Sequence, residues 1–147
     1  MIILHKLFSF SVSEKDMTLI YILYIQSILQ QSCQVWHFSI TKEEQQDLER
    51  VQKVACKIIL NKDYTDYEQA LAVLKLDKLI DRRQKLCLTF AEKCLNYDQT
   101  KDMFPLNIPD PFYIRNKEKY HVQHAKHSRL LNSAIPQLQR LLNSNGN

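Results

Sequence analysis

Thr41-Lys-Glu-Glu44-Gln-Gln-Asp-Leu48-Glu-Arg-Val51-Gln-Lys53-Val-Ala55-Cys-Lys57-Ile58-Ile59-Leu60 is the stretch that decides the fold class. Thr41 and Glu44 have the spacing of a capping box, in which each residue satisfies a backbone N–H of the other at a helix start. Leu48, Val51, Ala55, Ile58 and Ile59 then recur on one face at helical spacing. Glu49 and Lys53 stand on the other face as an i,i+4 pair in the favourable order. Asn61 falls where a left-handed residue would close the helix. An amphipathic helix from Thr41 to Asn61 follows, and the rest of the chain is organised like it.

Upstream, Ser13 is a good N-cap, with Glu14 and Asp16 in the first turn behind it. A helix then runs through Leu19 to Ile25, Ile28 and Leu29 towards Trp36. It is apolar all round, so a central position is expected; its β-branched residues leave a strand over 19–25 as the alternative. Ahead of it, Ile2, Ile3, Leu4, Leu7, Phe8 and Phe10 form an apolar strap. The expectation is that this strap packs on Tyr21, Tyr24 and Trp36, or that the first helix self-associates. Downstream, Thr65-Asp-Tyr-Glu68 repeats the capping box before a short helix with Ala70, Leu71, Val73 and Leu74. Asp77 caps a fourth helix whose apolar stripe is Leu79, Ile80, Leu86, Cys87, Phe90, Ala91 and Cys94.

Arg83 interrupts that stripe near its middle. A guanidinium there either snorkels outward or is buried against a carboxylate, and the inward position favours a structural ion pair. Residues 43–68 supply the candidate acids, Glu49, Asp63, Asp66 and Glu68. Arg82, at the edge of the stripe, faces solvent or a phosphate. After Asn96 the periodicity fails, and Pro105, Pro109 and Pro111 mark an extended linker or surface strap. A last helix over 133–142 has Ser133 as cap, Pro136 in its first turn and an apolar face of Ile135, Leu138, Leu141 and Leu142. The fold class is all-α: a bundle of about four helices over 1–97, then an extended basic tail over 98–147 ending in a short helix.

Composition supports this and excludes much chemistry. The single glycine of 147 residues is Gly146, so Gly-rich phosphate loops, nucleophile elbows and primed hairpins have no residues to build them. The net charge is +4. Lys/Arg and Asp/Glu balance over 1–100, and the excess lies in the tail, which either attracts phosphate or simply solvates the chain. Cys33, Cys56, Cys87 and Cys94 form no CxxC pair, and the default is buried free thiols in a reducing compartment. The longest apolar run, Met17 to Ile25, is short of the ~20 residues that span a bilayer. A soluble, intracellular protein with no membrane partner is expected. His121, His124 and His127 lack a nearby Cys or carboxylate to complete a metal shell, so no metal and no other cofactor is expected. Neither a nucleophile–base pair nor adjacent aspartates occur, so no catalytic residue is assigned. The cations available to nucleic acid are Lys53, Lys57, Arg82 and Lys85, with Arg115, Lys117 and Lys119 in the tail.

The ordered series Val12-Ser-Glu-Lys-Asp-Met-Thr-Leu-Ile-Tyr21, Tyr24-Ile-Gln-Ser-Ile-Leu29, Val35-Trp36, Asp47-Leu-Glu-Arg-Val-Gln-Lys53, Ile58-Ile-Leu60, Asp81-Arg-Arg83, Leu86-Cys-Leu88, Lys93-Cys94, Phe104-Pro-Leu-Asn107, Ser133-Ala-Ile-Pro136 and Arg140-Leu-Leu-Asn143 resembles the reverse transcriptases of non-LTR retrotransposons, the jockey-like mobile-element polymerases. The similar part is the helical thumb and the region after it, and it covers nearly the whole chain from about Lys6. The resemblance implies a non-catalytic C-terminal piece of an RNA-directed DNA polymerase, because the family's fingers, palm and endonuclease lie outside these residues. Thumb helices of the family pack along template–primer, which implies RNA or RNA–DNA hybrid as a partner. The chain departs from the pattern at Gln26, where a basic residue is common, at Gln30-Gln31, where acidic and aromatic residues are usual, and at Asn61, where Gly is usual. A nucleic-acid-binding module and a helical protein-interaction domain are the alternative functions.

Overall fold

The computed structural model describes residues 1–107, 118–122 and 126–145, and these are all-α. The only extended pairing among them is an isolated antiparallel bridge between Leu106 and Tyr120. Backbone contacts gather the chain into two units. One combines Met1–Gln31 with Thr41–Arg82; the other combines Ser32–Ile40 with Arg83–Asn147. This division falls inside a helix at 82/83 and does not follow the compositional boundary at 97/98.

The first unit is built on α5, Lys42–Leu60. Its capping box forms as expected, with Thr41 accepting from Glu44 N and Glu44 accepting from Thr41 N. Against it lie α1, Ile2–Ser9, and α2, Glu14–Ile20, the latter capped by Ser13. The helix begun by α2 widens into a π-helical segment, Tyr21–Gln26, and resumes as α3, Ser27–Gln30. After a turn at Asn61–Asp63 comes α6, Tyr67–Leu74. The core joins Leu4, Met17, Tyr21, Ala55, Cys56, Ile58, Ile59, Leu60, Ala70 and Leu71.

Several expectations change here. The N-terminal strap is a helix, and of its apolar residues only Leu4 is buried, with Leu7 packed against the core. Tyr24 is not covered; it stays 63 % exposed. The helix from Ser13 is not central: it turns Met17, Tyr21 and Gln26 inward, while Leu19, Leu23, Tyr24 and Ile28 remain on the surface. Nor does it run unbroken to Trp36, because Ser32 takes a left-handed conformation, φ 52°, before α4, Cys33–Trp36. At α6 the cap is Asp66, which accepts from Glu68 N, while Thr65 Oγ1 bonds Gln69. Asn61 has the expected positive φ, but with ψ −105° it is outside the left-handed helical well.

In the second unit, α7, Leu79–Leu95, continues past Arg83, with α8, Ser128–Leu131, and α9, Ala134–Asn145. Its core is Cys87, Ala91, Cys94, Phe104, Tyr120, Leu138, Leu141 and Leu142. The buried line on α7 is Leu79, Arg83, Cys87, Ala91 and Cys94, narrower than the expected stripe, since Ile80 and Phe90 are exposed. On α9 the buried face includes Leu138, Leu141 and Leu142 but not Ile135. The chain after α7 is pinned to α9 by side chains bonding to backbone. Gln139 Nε2 donates to Met103 O at 2.7 Å, and Asn143 both accepts from Tyr120 N and donates to Tyr120 O at 2.9 Å. Tail residues around 104 and 120 are thus core-forming, not linker.

Candidate nucleic-acid interface

The capped start of α5 fixes which residues face out. With Gln52, Ala55, Cys56 and Ile59 turned inward, Lys53 and Lys57 are exposed one helical turn apart, about 6 Å of rise. Each meets an aromatic ring from the segment that follows. Lys57 Nζ lies 5.4 Å from the Tyr64 ring centroid, and Lys53 Nζ lies 6.0 Å from that of Tyr67. Cation–π contacts of this kind, worth ~0.5–1 kcal/mol at exposed sites, restrain long side chains that would otherwise sweep through solvent. A surface groove of about 470 Å³ runs beside them, lined also by Gln46, Glu49 and Arg50. Arg50 is held by Asp47 at 2.6 Å.

The Tyr67 ring is fixed from below by a buried polar network. Tyr67 donates its hydroxyl to Glu49 Oε1, which also accepts from Leu79 N at 3.3 Å. Glu49 therefore serves Tyr67 and the start of α7, not the expected pair with Lys53. Gln52, fully buried, uses its whole amide: Oε1 accepts from Tyr21 OH at 2.8 Å and from Gln26 Nε2 at 3.5 Å, and Nε2 donates to Asp77 O at 2.8 Å and Tyr67 OH at 3.2 Å. Burial, then the bond to Glu49, raises the Tyr67 phenol well above its ordinary range, and burial does the same for Tyr21. Both rings stay neutral at physiological pH. Sequence patterning missed Gln26 and Gln52 because it follows apolar residues. The available signal was position: Gln52 sits within the stripe of Leu48, Val51, Ala55 and Ile59.

Arg82, in the first unit, is half-buried and donates Nε to Gln30 Oε1 at 3.1 Å. Lys85 and Lys119 belong to the second unit and are exposed, Lys119 Nζ lying 5.4 Å from the Tyr120 ring. Arg115, Lys117 and His124 lie outside the described residues. His121 and His127 are exposed, and no group of His, Cys, Asp or Glu among the described residues is arranged to hold a metal ion.

Arg83 is wholly buried, in the second unit, with its guanidinium 5.6 Å from the Trp36 ring centroid. Of the candidate acids, all in the first unit, Glu49 bonds Tyr67 and Leu79 N, Asp66 caps α6, Glu68 meets Lys78 at 2.6 Å, and Asp63 is on the surface. Burial, and next the charge of Arg83, depress the basicity of His37.

Set against known proteins, the chain matches no family model, no curated protein and no solved structure.

Proposed function

We propose that this chain is a non-catalytic helical element of a retrotransposon-type RNA-directed DNA polymerase, of the thumb and post-thumb kind, that engages nucleic acid through its phosphate backbone. The observation that carries the binding part is the pair Lys53 and Lys57, set one turn apart on an exposed helix face, each over a tyrosine. Ammonium groups steered this way suit phosphate, and the tyrosine faces, covered by their own lysines, are poorly placed to stack on bases. The interface should therefore be indifferent to sequence. The ordered sequence resemblance, together with the all-α fold, supports assignment to a thumb-type region; RNA–DNA hybrid is the partner it implies. Purified protein should shift a hybrid duplex at low salt and release it as salt rises. A Lys53→Ala/Lys57→Ala double variant should lose most of that shift. No shift at low salt would remove the binding reading. Incorporation of dNTPs on a primed template with magnesium, above a heat-killed control, would remove the non-catalytic one.

A second reading, a helical protein-interaction module, draws on the outward apolar row Leu19, Leu23, Tyr24 and Ile28. Light scattering on a concentration series separates it, since a self-associating chain would gain mass and a Leu23→Glu variant would not. No helix among the described residues is long and apolar enough to cross a membrane.

A further inference from the structure

In the second unit, Cys33 opens α4 and Cys87 lies at the centre of the buried line on α7. Both are fully buried and both are free thiols. Cys87 Sγ donates to the Cys33 carbonyl oxygen at 3.9 Å, which sets the two thiols beside each other. The turn before α4 produces this meeting. Ser32 adopts φ 52°, a left-handed conformation that a non-glycine residue takes only at a cost, and the helix restarts at once with Cys33. Two thiols 54 positions apart in sequence are thereby brought side by side in an apolar core.

We propose that Cys33 and Cys87 are a redox-modification site, a dithiol that a hydroperoxide converts into a disulfide joining α4 to α7. The surroundings assign the roles. The neighbouring Cys87 thiol, and with it the Arg83 guanidinium, holds Cys33 below the ordinary thiol range against the opposing effect of burial, whereas Cys87 is pushed up. Cys33, the member of the pair whose thiolate is favoured, is the attacking sulfur. Its sulfur takes the terminal oxygen of hydrogen peroxide, giving the Cys33 sulfenic acid and, after protonation, one water. Cys87 then loses its proton and attacks the sulfenic sulfur. The S–S bond forms, the S–O bond breaks, and the hydroxide leaves as a second water. Two thiols are oxidised by two electrons and one peroxide is reduced to two waters. The other two cysteines lack this arrangement: burial pushes Cys56, in the first unit, up to about 11, and Cys94 has no thiol partner among the described residues.

The test uses the full chain, reduced, then exposed to a graded series of hydrogen peroxide under native conditions. Remaining thiols are blocked with N-ethylmaleimide, and the bonds are mapped by non-reducing peptide mass spectrometry. The expected product is a Cys33–Cys87 crosslink, about 2 Da lighter than the dithiol, with Cys56 and Cys94 still alkylated after denaturation. Closing so long a loop should raise the melting temperature on the order of 5–10 °C, reversibly with dithiothreitol. A Cys56→Ser/Cys94→Ser variant, which retains the pair, should behave the same way. Equal oxidation of all four cysteines, a different pairing, or a Cys33–Cys87 bond that forms only after unfolding would overturn the proposal. So would unchanged dithiol at peroxide levels that oxidise the methionines.

Discussion

Gln52 occupies the position on which the first unit turns. Its amide meets four partners from three stretches of chain: Tyr21 and Gln26, Tyr67, and the carbonyl of Asp77. A leucine of similar size would leave the buried Tyr21 OH without that partner, at a cost of ~1–3 kcal/mol, and would remove the bonds to Tyr67 and the Asp77 carbonyl as well. Gln52→Leu should therefore destabilise the protein by roughly 2–4 kcal/mol in denaturant melts, and Tyr21→Phe, which deletes one bond together with its donor, by about 1 kcal/mol. Equal effects would mean that the network is not shared through Gln52. The same network sets the alkaline limit. Tyr21 and Tyr67 titrate above the ordinary value of 10.0 when folded, so the folded state holds their protons more tightly than the unfolded state. Their contribution is complete below about pH 10 and is lost as pH climbs beyond it. Absorbance at ~295 nm should show these two phenols ionising only with unfolding, and Tyr67→Phe should make the alkaline decline shallower.

At the scale of the element, the described helices end without glycine. Ser11, Ser32, Asn61 and Lys75 all take positive φ, and Lys75 closes α6 in the left-handed well, φ 54° and ψ 44°. A side chain with a Cβ is strained there, so Lys75→Gly should stabilise the protein by about 0.5–1 kcal/mol, read as a higher urea midpoint at unchanged slope. A lower midpoint would show that the lysine side chain contributes more than its backbone costs. α5 was the most legible element: an N-cap box and an apolar period of 3.6 act within the segment itself. The helix after Ser13 was legible as a helix but not in its placement. Apolar residues all round it left the buried face undetermined, and that face was chosen by polar Gln26 and Tyr21 reaching Gln52, aided by the π-helical turn that carries them. Breaks such as Ser32 gave no signal because serine seldom takes that conformation without a tertiary reason.

For the whole molecule, two cores account for the burial, one on α5 and one where α7 and α9 meet Phe104 and Tyr120. The second was only half legible. Prolines and lost periodicity marked residues 98–128 as linker or surface strap, while Tyr120 and Phe104 were brought into the core by Asn143 and Gln139 from far along the chain. Of the candidate interface, the lysines were visible in the sequence and their tyrosine partners were not, since Tyr64 and Tyr67 reach them only by the fold-back after Asn61. The function proposed rests on those two cations, and the most direct measurement is the salt dependence of binding to an RNA–DNA hybrid, for the wild-type chain and for Lys53→Ala/Lys57→Ala. If both ammonium groups contact phosphate, the slope of log K against log salt should fall in magnitude by about 2 in the double variant, with no change in sequence preference. An unchanged slope, or a loss of affinity confined to particular sequences, would contradict it.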